Sequence, residues 1–136
     1  MAAVGSSRKF LTVARHRLGD ARVLFERGRH PGAVYLAGYA VECGLKALIL
    51  SRTSPTQMAI VEEGFRGRRG HDLRSLLQQS RQAGANPISK PLVRRFSEVQ
   101  TWTSEVRYDA RPVKPAEASR FLEAVGVILD SCTRLM

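Results

Sequence analysis

The stretch from Ala33 to Leu50, AVYLAGYAVECGLKALIL, is apolar nearly all round, and the rest of the chain has to be arranged about it. A helix that is apolar on every side needs cover on every side. Pro31 and Gly32 lead into it, and proline suits a first helical turn. Its small residues, Ala37, Gly38, Ala40 and Gly44, let other helices come close. Glycine inside a helix costs roughly 1 kcal/mol against alanine, so Gly38 and Gly44 imply a packing reason. Glu42 and Lys46 break the apolar character at i,i+4, in the favourable order for an ion pair. With those charges inside it, the unbroken apolar run is far short of the ~20 residues of a membrane span. The segment is therefore expected to be the central helix of a globular bundle.

The flanking sequence has the same helical period. Residues 7 to 28 place Phe10, Val13, Ala14, Leu18, Ala21, Leu24 and Phe25 on one face, at spacings of three and four. Ser6 or Ser7 is a suitable N-cap and Gly28 a suitable C′ residue. Arg8, Arg15, Arg22 and Arg29 form a stripe on the opposite face. After SRTSP, a weak helical stretch, TQMAIVEEG, gives way to a basic loop, FRGRRGH. Asp72 or His71 opens a short helix through Leu73, Leu76 and Leu77 to about Ala83, and GANPISKP reads as a turn. Leu92, Phe96, Val99 and Trp102 mark another helical pattern. Pro115 starts a last helix with Ala118, Phe121, Leu122, Val125, Leu129 and Cys132 inward. No segment alternates as a strand would, so the expected fold is all-α, an antiparallel bundle of four to five helices.

At 136 residues the chain has room for one core, a single domain over 1–136. Its charge is unusual: 22 Lys and Arg against 12 Asp and Glu, a formal net charge of +10. Eighteen of the cations are Arg, the residue suited to phosphate forks and stacking, so a polyanionic partner is expected. The loop cations Arg66, Arg68 and Arg69 are candidate contacts to RNA or nucleotide. Cys43 and Cys132 lack metal or redox spacing and read as inert thiols, and His16 and His30 read as solvated surface residues. Neither a metal nor a cofactor is expected. MAAVGSSRKF has no apolar secretory core, and the expected setting is cytoplasmic, without membrane contact.

The order of motifs carries a resemblance. A basic amphipathic helix ending LFERGRHPGAV is followed by YLAGYAVECGLKALI, GHDLRSLL, WTSEVRY and a proline-led AEASRFLEAVGVIL. Over nearly the whole chain this resembles the HEPN domain, the higher eukaryotes and prokaryotes nucleotide-binding domain. The resemblance implies an all-α bundle that forms a homodimer and is often encoded beside a minimal nucleotidyltransferase as the toxin half of a pair. Many such domains are metal-independent ribonucleases that use an Arg, then four to six residues, then a His, near the start of the last long helix. Arg107 stands in the corresponding place here, with Tyr108 beside it, but Pro112, Val113 and Lys114 occupy the positions where the His would fall. The same spacing occurs in a different segment, at Arg66 and His71.

Tyr35, Tyr39, Glu42 and Lys46 share a helix side by spacing and could meet Trp102, Glu105 and Arg107 in the bundle. As structure, the set is a network: Glu42 paired with Lys46 or Arg107, the tyrosines packed. As function, Lys46 and Arg107 hold a phosphate while Trp102 or Tyr108 stacks on a base. The leading expectation is a binding and regulatory protein that contacts RNA or nucleotide, in a toxin–antitoxin or defence setting. The alternatives are a divergent ribonuclease toxin using Arg107, Tyr108 or His71, and a dimeric protein-interaction module.

Overall fold

The computed structural model of the chain describes residues 2–85, 90–103 and 110–136, with the backbone alone for residues 2–4 and 90. Six α-helices follow one another: α1 (Ala2–Glu26), α2 (His30–Ser51), α3 (Met58–Gly64), α4 (Leu73–Gln82), α5 (Lys90–Ser97) and α6 (Pro115–Leu135). A 3₁₀ turn, Arg68–His71, lies between α3 and α4. There is no strand among the described residues. The helix count exceeds the expected four to five because the weak stretch TQMAIVEEG closes as the short α3 and the pattern from Leu92 as the short α5. The pattern through Trp102 is helical only to Ser97; Val99 N–H then bonds Phe96 O at 3.0 Å and Trp102 N–H bonds Val99 O at 2.9 Å, tightening the chain into turns.

α2 is the central helix. It packs most extensively on α1, then on α6 and α4. By length and composition alone α2 could cross a membrane, with a mean hydropathy of 1.5, contrary to the expectation from its interrupted apolar run. Inside this fold 72% of that window is buried by the other helices. Gly44 has its packing reason, since a Cβ there would crowd the Leu129 side chain of α6. The apolar surface of α2 is thus largely consumed within one chain rather than left open for a second copy.

α1 ends as its sequence suggests. Gly28 has φ 77°, Arg29 N–H bonds Leu24 O at 2.8 Å and Gly28 N–H bonds Phe25 O at 3.0 Å. This is a Schellman closure, and it turns the chain into α2 within three residues. The start differs from the expectation. α1 begins at Ala2, and Ser7 is no cap: it is buried and donates to Ala47 O at 2.8 Å, pinning α1 to α2. The four stripe arginines are exposed, but Arg15 reaches α6, donating to Asp130 at 3.2 Å and Thr133 at 2.9 Å. Arg52 satisfies helix ends left open by geometry, donating to Gly84 O at 2.9 Å beyond α4 and to Leu135 O at 2.7 Å in α6.

Candidate functional site

Burying a charge is costly unless it is paired, so the pair in the middle of α2 is the first place to look for chemistry. Glu42 and Lys46 side chains are only 5% and 7% exposed. Lys46 Nζ donates to Glu42 Oε2 at 2.9 Å and sits 5.3 Å from the centre of the Phe65 ring. The second carboxylate oxygen, Oε1, meets His71 Nδ1 at 3.2 Å. An ionised carboxylate only accepts, so Nδ1 donates in this bond and Nε2 is the ring nitrogen left for another partner. His71 is 45% exposed and bridges the buried pair to solvent.

The chain delivers His71 to that point by a tight fold. Gly70 is buried against the backbone of Phe65, and a Cβ on residue 70 would overlap that backbone. Gly70 N–H also bonds Gly67 O at 2.9 Å, closing the turn. Asp72 then caps α4, its side chain accepting from Arg74 N–H at 3.0 Å. So the helix start in GHDLRSLL is set by Asp72, while the residue before the cap is turned inward onto Glu42.

Above the pair lies a recess of about 460 Å³, lined by Lys46 and His71 together with Lys9, Phe10, Glu62 and Arg66. Arg68 and Arg69 are exposed on the adjoining 3₁₀ turn. Lys9, Phe10, Glu62 and Phe65 are not evident from sequence as parts of a site. Only Phe65, an isolated aromatic in a basic glycine-punctuated loop, leaves a trace there.

The other expected residues lie elsewhere. Gly38 is about two helical turns from Lys46, roughly 12 Å along the axis at 1.5 Å per residue. A Cβ at Gly38 would overlap the Trp102 indole, which is the packing reason for that glycine. Trp102 is 3% exposed and packed edge-on against Tyr39 at 5.0 Å; Tyr35 lies 6.4 Å away. Its indole is a packing element, covered rather than open to a base. Tyr35 and Tyr39 stack edge-on with each other at 5.1 Å. The expected set therefore divides in two: Glu42, Lys46, His71 and Arg66 come together around the recess, and Tyr35, Tyr39 and Trp102 form a separate aromatic cluster. Glu105, Arg107 and Tyr108 lie outside the described residues.

Burial pushes the Cys132 thiol up to about 12, with Arg15 opposing. Cys43 is pushed up to about 11, by burial first and the adjoining Glu42 second, against Lys46 and Arg17. Neither is an activated nucleophile. His16 is exposed, but His30 is half-buried against Phe25 at 5.1 Å, a departure from the solvated role. Among the described residues no group of three or more His, Cys, Asp or Glu is placed to hold a metal ion.

The helix order, the central apolar helix and the His-Asp-Leu junction set the frame for comparison with known proteins. No curated protein and no solved structure matches the chain. The model of one family does, the HEPN domain, over residues 7–135. With that match running through all six helices, the chain belongs to the HEPN domain family.

Proposed function

We propose that this protein is a binding and regulatory HEPN module that contacts RNA or nucleotide through the face made by the 3₁₀ turn and the recess beside it. Membership of the family supports a nucleotide- or RNA-related role, regulatory or ribonucleolytic, in general terms. The observation that carries the finer reading is the exposure of Arg66, Arg68 and Arg69 on one short segment next to a recess whose floor is a buried lysine. Arginines so placed suit phosphate contacts. The proposed working form is a homodimer, and a minimal nucleotidyltransferase is the proposed protein partner in a toxin–antitoxin or defence setting. The test is electrophoretic and anisotropy binding of single-stranded RNA at low salt, with Arg66→Ala, Arg68→Ala and Arg69→Ala combined. Binding by the wild type that the triple variant loses supports the reading; absence of any RNA binding by the wild type defeats it. Light scattering giving about 15 kDa at all micromolar concentrations would defeat the dimer.

One geometric fact favours a ribonuclease as the second reading. Glu42 orients His71, and Arg66 lines the same recess, so a base, its orienting carboxylate and a phosphate-steadying cation share one place. In such a reaction Nε2 would take the proton of the RNA 2′-hydroxyl as that oxygen bonds to the adjacent phosphorus. The bond from phosphorus to the 5′-oxygen would break, with a proton passed to the leaving oxygen from the ring or water, and the cations would steady the phosphate. Arg107 is the rival cation, by its place in the family pattern. Assaying Arg107→Ala and His71→Ala on mixed RNA, each first shown to be folded, separates the two. Loss through His71→Ala alone assigns the recess, loss through Arg107→Ala assigns the other segment, and no cleavage by the wild type leaves the binding module.

A further inference from the structure

We infer that the recess over the Glu42–Lys46 pair is a receptor for a terminal phosphate monoester of a ribonucleotide, borne by a free nucleotide or by an RNA end. The inference deepens the RNA reading above and rests on it for the choice of ligand. It starts from how the buried charges are turned. Both Glu42 oxygens are occupied, one by Lys46 and one by His71, so the carboxylate stands behind those two groups. Lys9, Lys46 and Arg66 bring cationic donors to the recess, with Glu62 and His71 also in its lining. The Lys46 ammonium carries three N–H groups and gives one to Glu42. Among the described residues Lys9 has no ion-pair partner, and Arg66 pairs with Glu63 at 3.5 Å, both side chains being largely exposed. Arg66 is therefore free to turn toward a ligand at little cost.

Charge selects the kind of phosphate. The recess is walled by α1, α2, α3 and the 3₁₀ turn, and about 460 Å³ is within the range of small-ligand sites. A phosphate monoester brings about −1.5 to −2 charges and three acceptor oxygens, which suits a cluster of Lys9, Lys46 and Arg66 better than the single charge of an internal diester. Among the described residues Glu62 is the carboxylate in the lining of the recess. A carboxylate repels phosphate but accepts from paired hydroxyls, so it fits the ribose side of the ligand. The arrangement therefore favours a ribonucleotide over inorganic phosphate or a DNA end.

The experiment measures the full chain with a short, internally labelled single-stranded RNA prepared with a 5′-phosphate, a 3′-phosphate or hydroxyls at both ends. Adenosine monophosphate and inorganic phosphate serve as competitors. One phosphorylated form should bind about tenfold more tightly than the hydroxyl-ended RNA, the worth of one charge-assisted hydrogen bond. Lys9→Gln and Arg66→Gln are near-surface changes that leave the buried pair intact, and each should narrow that ratio to below about threefold. Glu62→Gln should narrow the difference between RNA and DNA ends. Adenosine monophosphate displacing the phosphorylated RNA at equal concentration assigns the recess to free nucleotides, and failure to displace it assigns the recess to RNA ends. Equal affinity for phosphorylated and hydroxyl-ended RNA, with neither competitor bound, overturns the inference and leaves the RNA contact standing. If no RNA form binds at low salt, the RNA reading falls, and the recess stands or falls on adenosine monophosphate binding alone.

Discussion

At the scale of single residues, Glu42, Lys46 and His71 have unequal stakes in the fold. Lys46→Met leaves a buried carboxylate without its cation, a change expected to cost about 3–5 kcal/mol. Glu42→Gln with Lys46→Met removes both charges and should recover much of that loss. Urea unfolding of the two singles and the double closes the cycle; simple additivity would mean the pair is not coupled. His71→Ala, at the solvent edge, should cost less than about 1 kcal/mol, so its effect on RNA can be measured in a folded protein. The thiols give a pH dependence. Both are held neutral in the fold, with values raised to about 11 and about 12, whereas an unfolded thiol ionises near 8.5. Between those values the unfolded chain has lost protons that the folded chain keeps, so stability falls as pH rises from about 8.5 toward 11. Cys43→Ala should flatten that decline in urea midpoints taken at pH 8 and 10; an unchanged slope would remove Cys43 as its cause. Of the buried trio, the i,i+4 spacing made Glu42 and Lys46 legible as a pair. His71 was not legible as their third member, because it arrives from 29 positions further along through a turn set by a backbone contact.

At the scale of elements, the helical period found the helices and local rules found some of their ends. Gly28 and Asp72 act at α1 and α4 as capping chemistry suggests, because a cap is settled by its own few residues. The start of α1 was misread because Ser7 satisfies the local rule but is taken by Ala47, 40 positions away. The short 3₁₀ turn carries too little period to be read from sequence, whereas α3 falls inside the weak helical stretch TQMAIVEEG. Three substitutions separate local preference from packing. Gly19→Ala, in an open position on α1, should stabilise by roughly 0.5–1 kcal/mol. Gly38→Ala enjoys the same helix preference but drives a methyl group into Trp102, and should destabilise by about 1–3 kcal/mol. Ser7→Ala loses one buried hydrogen bond, about 0.5–1.5 kcal/mol. Thermal melts give the signs, and a more stable Gly38→Ala would refute the close approach of the indole.

At the scale of the whole molecule, a net charge of +10 on 136 residues makes salt the main control on any polyanion contact. Each phosphate neutralised on a single strand contributes about −0.7 to the log–log salt slope. Combined Arg66→Ala, Arg68→Ala and Arg69→Ala should therefore flatten the slope for RNA by about 2, with no change in sequence preference. An unchanged slope would move the contact to another face, such as the α1 stripe. The charge was legible from composition. Its placement was not, because Arg15 and Arg52 are committed to tying helix ends together and only the fold shows which arginines are left over.

The closure at Gly28 also governs the order in which the molecule can be assembled. The most extensive interface, α1 on α2, joins neighbours in sequence through a connection of three residues, so it forms with little loss of loop entropy. α6 must return from the far end of the chain, where Arg15 meets Asp130 across 115 positions. The helix pair is thus the natural nucleus and α6 the late arrival. In stopped-flow kinetics, Gly28→Ala should mainly slow folding, while Leu129→Ala should mainly speed unfolding. The reverse partition would place α6 in the nucleus. Time spent as a bare helix pair is time with the α6-facing side of α2 uncovered, so the same short turn that speeds the first step exposes the growing chain to association before the last one.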